Sequence, residues 1–411
     1  MEIRRIFALS FPFLLIFGAN SETFFTGEMG ANVDFASIGG VKLQGFLTGQ
    51  LSFSPNVFAR AEVSLKTGNI AENPLDDIES AVKMNELSLT FTKPSASLAH
   101  FFSAFIGNAD PIGTDTFLRH QFGTAPLVSP LTQSYTGANG ILLYPLRGIG
   151  ASYIIRFSEI PIATGIYVYK NNTAFDENNS NDEIKLMPNI DLRFATSTQF
   201  FTIDTAFGVG LPLKDETMDS NGQTKEVFLL IDEIYIHTGL TAFFGSNEKS
   251  GLFIQAGFQD VTFGSNLNSP SAENTVLIFE PRFLMKSQTE GMNLTFFNIP
   301  KERLSGGYDD FSYNNFIFID KDNTFGANFM FYTDRFVIRN TSLKIGLNLM
   351  LAFDSYFDEI TKPNDLFDKK EIKIAPFAET QILGGTMSAS IQIKPIGSPK
   401  FRASIGYKKT L

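Results

Sequence analysis

The three histidines come first, because histidine is the side chain that most often performs acid–base chemistry near neutral pH. The chain contains His100, His120 and His237 and no cysteine, which excludes a cysteine nucleophile, a thiolate metal site and disulfides. Glu233, Tyr235 and His237 would share one face of a β-strand and have the side chains of a general acid–base set. Because no nucleophile accompanies them in a recognisable motif, we interpret them as a hydrogen-bonded ladder.

Other chemical motifs are weak. The segment from Asp320 to Asn323 resembles the start of a calcium-binding loop, but Phe331 stands at the twelfth position, where such loops carry glutamate. We interpret it as a turn. No glycine-rich phosphate loop or nucleophile elbow is present, and basic and aromatic residues are not arranged for nucleic acid. The sequence therefore predicts a protein that is not an enzyme, needs no metal or cofactor and does not bind nucleic acid.

The composition narrows the fold class. Of 411 residues, 44 are Phe and 11 are Tyr, while only 18% are charged. A soluble protein of this length would need large cores to bury so much Phe. Beyond residue 21, however, no apolar run approaches the roughly 20 residues that a membrane helix needs. What remains is a large β protein with much half-apolar surface.

The N-terminus predicts export. Arg4 and Arg5 precede an apolar stretch over 6–17, and small residues at 19–21 form a cleavage site before Glu22. A membrane anchor is the alternative, but the stretch is much shorter than the roughly 20 residues that span a bilayer and it contains Pro12. We therefore expect 1–21 to be a signal peptide and 22–411 to form one domain.

Apolar and polar residues alternate along most of that domain. This period of two predicts strands, and many reach the roughly 9–11 residues with which a tilted strand crosses a bilayer. Eighteen segments fit, with 16 as the alternative count because 139–157 and 316–342 are irregular. They are 25–35, 41–53, 57–66, 83–93, 96–107, 147–157, 162–170, 187–196, 200–211, 229–244, 251–259, 275–286, 292–299, 316–332, 343–353, 372–380, 386–393 and 400–410.

The connections between these segments alternate between short and long. Short periplasmic turns and long outer loops are typical of outer-membrane barrels, whereas a soluble sandwich has no reason to alternate in this way. Closure is required as well, because an open sheet edge in hydrocarbon leaves backbone groups without partners. The sequence therefore predicts an all-β, transmembrane, antiparallel up-and-down β-barrel in the outer membrane of a diderm bacterium, with Phe facing lipid.

The longest connection, 108–138, follows the fifth strand. In this arrangement the chain resembles the bacterial porins in topology, although it carries no porin signature motif. The resemblance implies that this loop folds into the barrel and narrows a pore. Within the loop, a Thr or Asp cap and a Gly stop predict a short helix between Thr114 and Gly123. The polar groups of such a constriction would be Asp110, Asp115, Arg119 and His120. An ordinary outer loop folded over the rim is the alternative.

The polar face of the strands would line the lumen. Charges of both signs lie on it, which favours a wet interior, and a barrel of this size is wide enough for an aqueous channel. The alternative is that these charges form ion pairs around a plugged lumen. The candidate pore-lining residues on the strands are Arg60, Glu62, Arg193, Glu280, Arg282 and Lys344.

The negative charge is concentrated in four long connections. Segments 67–82, 171–186, 212–226 and 354–371 together carry a formal charge of −12, whereas the chain from residue 22 onward carries −11. Acidic outer loops could concentrate cations at a pore mouth or bind divalent ions that bridge to surface glycolipid. Solvated loops that resist aggregation are the alternative.

Three functions fit the predicted barrel. The leading hypothesis is a porin-like channel for passive diffusion of small hydrophilic solutes. The second is a transporter of hydrophobic substrates of the fatty-acid class, but the first strand begins too soon after residue 21 to leave room for the plug of such proteins. The third is a surface-binding barrel or adhesin. Expected partners are outer-membrane lipid, surface glycolipid, small solutes, periplasmic chaperones and the barrel-assembly machinery, with homo-oligomerisation left open.

Overall fold

The fold is seen in a computed structural model of the chain. The predicted signal peptide, Asp115 and Lys286 lie outside the residues that the structure describes. Those residues are 24–36, 40–67, 69–70, 82–114, 116–124, 128–133, 142–143, 146–171, 188–211, 214–218, 224–230, 233–245, 250–264, 269–285, 289–305, 318–320, 322–338, 341–357, 370–396 and 400–411.

Eighteen antiparallel strands form one closed barrel. Each strand pairs with its neighbours in chain order, and the first strand also pairs with the last, with Val33 opposite Ile405. The prediction of an 18-stranded barrel is therefore confirmed. In chain order the barrel strands are β1 (Phe24–Ala36), β2 (Gly40–Ser54), β3 (Val57–Lys66), β4 (Val82–Pro94), β5 (Leu98–Asn108), β6 (Arg147–Phe157), β7 (Ile162–Asn171), β8 (Pro188–Ser197), β9 (Phe201–Gly210), β12 (Glu233–Gly245), β13 (Gly251–Gly264), β14 (Thr275–Leu284), β15 (Glu290–Asn298), β16 (Phe325–Ile338), β17 (Thr341–Phe353), β18 (Lys370–Ile382), β19 (Gly385–Lys394) and β20 (Lys400–Thr410).

A separate hairpin lies between β9 and β12. It consists of β10 (Lys214–Met218) and β11 (Thr224–Leu230), which pair with each other in a two-stranded sheet. The predicted loop 212–226 is therefore partly strand, and the predicted strand 229–244 begins later, at Glu233. Short charged strands of this kind escape prediction because their sequence has the composition of a loop.

The irregular region 316–342 contains β16 and the first residues of β17. Residues 318–320 are not part of the barrel sheet, and the segment from Phe336 to Ile338 continues β16 after a register shift. The predicted strand 316–332 therefore begins later, at Phe325, and runs on to Ile338. A β-bulge lets the chain interrupt its alternation without ending the strand, which explains why the pattern broke there.

The two faces of the barrel differ in chemistry. Along β8 the side chains of Ile190, Leu192 and Phe194 point outward and are exposed, while those of Asp191 and Arg193 point inward and are buried. The same alternation places exposed Phe on the outside of many strands. This confirms the predicted lipid-facing surface, because an apolar outer band is what a bilayer requires.

The buried apolar cluster lies inside the barrel. It includes Phe105, Phe243 and Phe253 from the strands and Phe117, Leu118 and Leu131 from the connection between β5 and β6. The described α-helices are short: α1 (Thr116–Phe122) lies in that connection, and α2 (Lys301–Ser305) follows β15. Neither is long or apolar enough to cross a membrane.

Candidate functional site

The connection after β5 enters the barrel. At its start Gly107 has φ +96 and lies so close to the backbone of Asn85 that a Cβ atom would clash with it. Asp110 follows with φ 40, and the amide of Ala109 donates to the carbonyl of Leu146 at 3.2 Å. These contacts place the start of the connection, just after β5, next to its end, just before β6. We call the described residues between 109 and 143 the inserted segment.

Helix α1 is the helical part of the inserted segment. The amide of Thr116 donates to the Thr114 hydroxyl at 3.3 Å, and Gly123 ends the helix with φ +65, as the predicted cap and stop require. Phe117 is fully buried. The described part of 108–138 therefore packs against inward-facing side chains of the strands, and its role as a constriction stays a prediction.

Three wall strands hold α1 in place. The guanidinium of Arg193 on β8 stacks over the Phe117 ring, 4.6 Å from its centroid. Arg119 forms an ion pair with Glu28 on β1, with an N–O distance of 3.4 Å. The guanidinium of Arg156 on β6 donates to the backbone carbonyl of Gln121 at 2.9 Å. The helix is thus fixed from several sides, which limits its movement in the lumen.

Asp110 is the centre of a buried polar cluster. Its carboxylate accepts hydrogen bonds from the Tyr167 hydroxyl at 2.8 Å and from Nδ1 of His120 at 2.7 Å. The guanidinium of Arg193 donates to the backbone carbonyl of Asp110 and forms two hydrogen bonds to Asp204, of 2.6 and 3.0 Å. Buried charges persist only when they are paired in this way.

The protonation states within the inserted segment follow from these contacts. Burial opposes ionisation of Asp110, but the hydrogen bond from His120 and the positive charges of Arg60 and Arg193 lower its pKa well below the usual value. Burial lowers the pKa of His120 to about 4, helped by Arg60, whose guanidinium nitrogen lies 2.9 Å from Nδ1. At neutral pH the site therefore contains a charged Asp110 and a neutral His120.

We expect the barrel to become less stable as the pH falls from about 6.5 toward 4. The pKa of His120 falls from 6.5 in an unfolded chain to about 4 in the fold, so the unfolded chain binds more protons between these values. The contribution of His120 to stability is full above about pH 6.5 and decreases as the pH falls toward 4. Melting temperatures of refolded barrels at pH 7, 5.5 and 4 would show this decrease, and it should be smaller in His120→Gln. An equal decrease in both proteins would contradict it.

A second anchor holds the later part of the inserted segment to β14. The carboxylate of Glu280, which is fully buried, accepts hydrogen bonds from the Ser129 hydroxyl at 2.5 Å and the Thr295 hydroxyl at 2.6 Å. Arg282 donates to the same carboxylate at 2.8 Å and to the carbonyl of Val128 at 3.0 Å. Glu280 and Arg282, which the sequence predicted to line a pore, thus bind the inserted segment.

The other candidate residues take separate places. The carboxylate of Glu62 accepts a hydrogen bond from the Asn85 side chain at 3.5 Å, near the point where the connection leaves β5. Lys344 on β17 pairs with Glu379 on β18 at 3.0 Å and lines one cavity together with Arg282 and Pro130. The candidate residues are thus divided between the α1 cluster and the region of the Glu280 anchor.

Of Glu233, Tyr235 and His237 on β12, the side chain of Glu233 lies outside the described residues, and Tyr235 is only partly buried. Nε2 of His237 lies 3.0 Å from the Asp191 carboxylate, which also accepts from the Tyr169 hydroxyl at 3.2 Å. The side chains of His237, Asp191 and Tyr169 are buried. Among the described residues no three acidic or histidine side chains converge as metal ligands would.

The connection between β15 and β16 contributes a second group of buried contacts, which the sequence did not predict. Phe318 packs against Phe377, with ring centroids 5.8 Å apart, and the Asp320 carboxylate pairs with Lys373 at 2.6 Å and Lys394 at 3.0 Å. The amide of Asn323 donates to the Asp320 carbonyl at 3.0 Å, as expected of a turn. The unusual density of charge in this turn was the only available signal, and the sequence could not show what it meets across the barrel.

Amide side chains line much of the inner wall. Several are buried and have an oxygen or nitrogen that makes no hydrogen bond to protein: Asn32, Gln44, Gln255, Gln259, Asn328 and Asn348. They point inward from β1, β2, β13, β16 and β17. These atoms are almost inaccessible to solvent, and an amide group without a partner is costly in a dry interior, so each is suited to an ordered buried water.

A closed barrel with an apolar outer face and a polar inner face defines the class of outer-membrane β-barrels. The closed 18-stranded barrel that the described residues of this chain form has the architecture of that class. No protein-family model matches the chain, and no curated protein sequence matches it.

Solved structures with similar architecture include two barrels from different organisms. A mutant porin of Rhodopseudomonas blastica is 8% identical, with a TM-score of 0.41, and the match covers 95% of this chain and 100% of that chain. Wzi of Escherichia coli, described as an outer-membrane, carbohydrate-binding β-barrel involved in group 1 capsule assembly, is 11% identical. Its TM-score is 0.46, and the match covers 98% of this chain and 86% of that chain.

Proposed function

We propose that the barrel is a narrow channel for passive diffusion of small hydrophilic solutes, constricted by the inserted segment. The observation that carries the proposal is the polar inner face of the strands, which bears partly exposed charges beside the inserted segment and buried amides whose polar atoms lack protein partners. Such a face is stable when it is hydrated, and a hydrated lumen through a bilayer conducts solutes that fit it.

The charges around α1 support the same function. Arg119 is about one-third exposed and pairs with Glu28, which also pairs with Lys408 on β20 at 3.0 Å. These half-exposed charges lie beside the inserted helix, while Arg193 and Asp204 beneath it are buried. Ions of either sign therefore have a polar path next to α1, and the helix sets how wide that path is.

Purified protein in planar bilayers should give stable open conductance. Because the chain has no native cysteine, Arg119→Cys introduces a single thiol beside α1, and a bulky charged thiol reagent should reduce the current sharply. Val168→Cys is the matched control, since Val168 is exposed on the lipid-facing side of β7. Reagent should leave its current unchanged.

Two results would exclude the channel. The first is a correctly folded barrel that inserts into bilayers but never conducts. The second is a conducting barrel in which the modified Arg119→Cys protein carries the same current as the unmodified one, because the solute path would then avoid α1.

A further inference from the structure

A cavity lies where β1, β19 and β20 reach the end of the barrel that carries the long connections. Its volume is about 210 Å³, and it is open on one side. Three basic side chains line it, Lys394, Lys400 and Arg402, against a single carboxylate, that of Asp320. The carboxamide of Gln392 completes the polar lining. Counted together with Asp34, Glu371 and Lys373, which pair with lining residues, the local formal charge is +1.

Two of the three cations are fixed by carboxylates. Lys394 pairs with Asp320 at 3.0 Å and also contacts Glu371. Arg402 pairs with Asp34 on β1 at 2.9 Å. These contacts hold the two cationic groups in one orientation before any ligand arrives, which reduces the entropy lost on binding.

The third cationic side chain is that of Lys400. Lys400 is exposed at the start of β20, and among the residues that the structure describes it forms no ion pair. A lysine ammonium carries three donors on a flexible stem and can close onto a ligand held by neighbouring groups. The cavity thus combines two oriented cations with one that is free to move.

Short connections join the strands beside this cavity. Residues 37–39 separate β1 from β2, and 395–399 separate β19 from β20. The four acidic connections that carry most of the formal negative charge fall largely outside the described residues.

We propose that this cavity binds the phosphate or carboxylate group of a small anion. The inference rests on the proposed channel for its biological meaning, since it names small anions as the solutes that this end of the channel captures. The Arg402 guanidinium and the two ammonium groups donate charge-assisted hydrogen bonds to the anionic oxygens, and Gln392 adds a neutral donor. A free solute and the headgroup of an anionic lipid would present the same chemistry.

Binding is tested on purified, folded barrel in a nonionic detergent. Inorganic phosphate and dioctanoyl phosphatidic acid are titrated separately by calorimetry, at one fixed ionic strength. Lys400→Gln should weaken the binding of whichever probe the site takes by roughly three- to fivefold, as expected for one partly exposed ion pair. Lys400→Arg should restore most of the affinity. A tighter affinity for the lipid identifies a headgroup as the source, and equal or tighter binding of phosphate identifies a free solute.

Lys170→Gln is the matched control, because Lys170 is an exposed lysine at the same end of the barrel on β7, outside the cavity. It should bind both probes like the unaltered protein. The proposal is overturned if neither probe binds, if Lys400→Gln binds as tightly as the unaltered protein, or if Lys170→Gln weakens binding equally.

The calorimetry and the conductance experiment separate two failures. Phosphate binding that depends on Lys400 in a barrel that never conducts would retain the anion site and exclude the channel. Conductance without Lys400-dependent binding would retain the channel and exclude the site.

Discussion

Replacing Arg193 by Met is expected to reduce the free energy of unfolding by about 3–5 kcal/mol, the usual cost of removing one partner of a buried ion pair. The Arg193 guanidinium is fully buried, holds the Asp204 carboxylate with two hydrogen bonds and stacks on Phe117. The substitution leaves the Asp204 charge without compensation and removes a support of α1. Urea unfolding of the refolded barrel in lipid or detergent measures the loss.

A double variant provides the control for this prediction. In Arg193→Met with Asp204→Leu, both charges are removed and apolar side chains of similar size take their places, so stability should lie closer to that of the unaltered protein than to the single variant. A single variant as stable as the unaltered barrel would contradict the role of Arg193. So would a double variant no more stable than the single one.

Glu280→Leu is expected to destabilise the barrel by about 2–4 kcal/mol, because it leaves the Arg282 charge and two hydroxyl groups without their acceptor. Those hydroxyl groups belong to Ser129 in the inserted segment and Thr295 on β15. Arg282 is partly exposed, so solvent screens some of the cost. The same urea experiment measures this change.

Two further variants make the Glu280 result specific. Glu280→Gln keeps an acceptor for the hydroxyl groups and should lose less stability than Glu280→Leu. Glu273→Leu replaces an exposed glutamate at the start of the same region and should stay within about 0.5 kcal/mol of the unaltered protein. Equal losses in Glu280→Gln and Glu280→Leu would mean that the negative charge, and not the acceptor oxygens, matters.

The barrel was predictable because its signal is local. Each strand repeats the same two-residue alternation, and one face must be apolar along its whole length, so many weak patterns agree. Phe46 breaks this alternation on β2, and the structure shows why. It points inward directly opposite Gly30, where a Cβ atom on the glycine would meet the Phe46 ring. The aromatic ring covers the glycine that its strand partner provides.

The interior was only partly predictable. The candidates Asp110, His120, Arg60 and Arg193 could be selected as polar groups on inward positions or in the long connection. Their meeting at one cluster depends on where the inserted segment lies, and a sequence pattern contains no distance across a lumen. Ser129 and Glu280 illustrate the limit, since 151 residues separate them and neither belongs to a motif. For the same reason the second group around Asp320 was read only as a turn.

The contact between β1 and β20 fixes the alignment in which the barrel closes. Asp34 on β1 accepts hydrogen bonds from Arg402 and Ser404 on β20, across 368 and 370 residues of chain. A slip of one residue between these strands would turn Arg402 toward hydrocarbon, and a slip of two would separate Ser404 from Asp34. The Asp34 carboxylate therefore favours the one alignment of β1 and β20 in which both donors reach it.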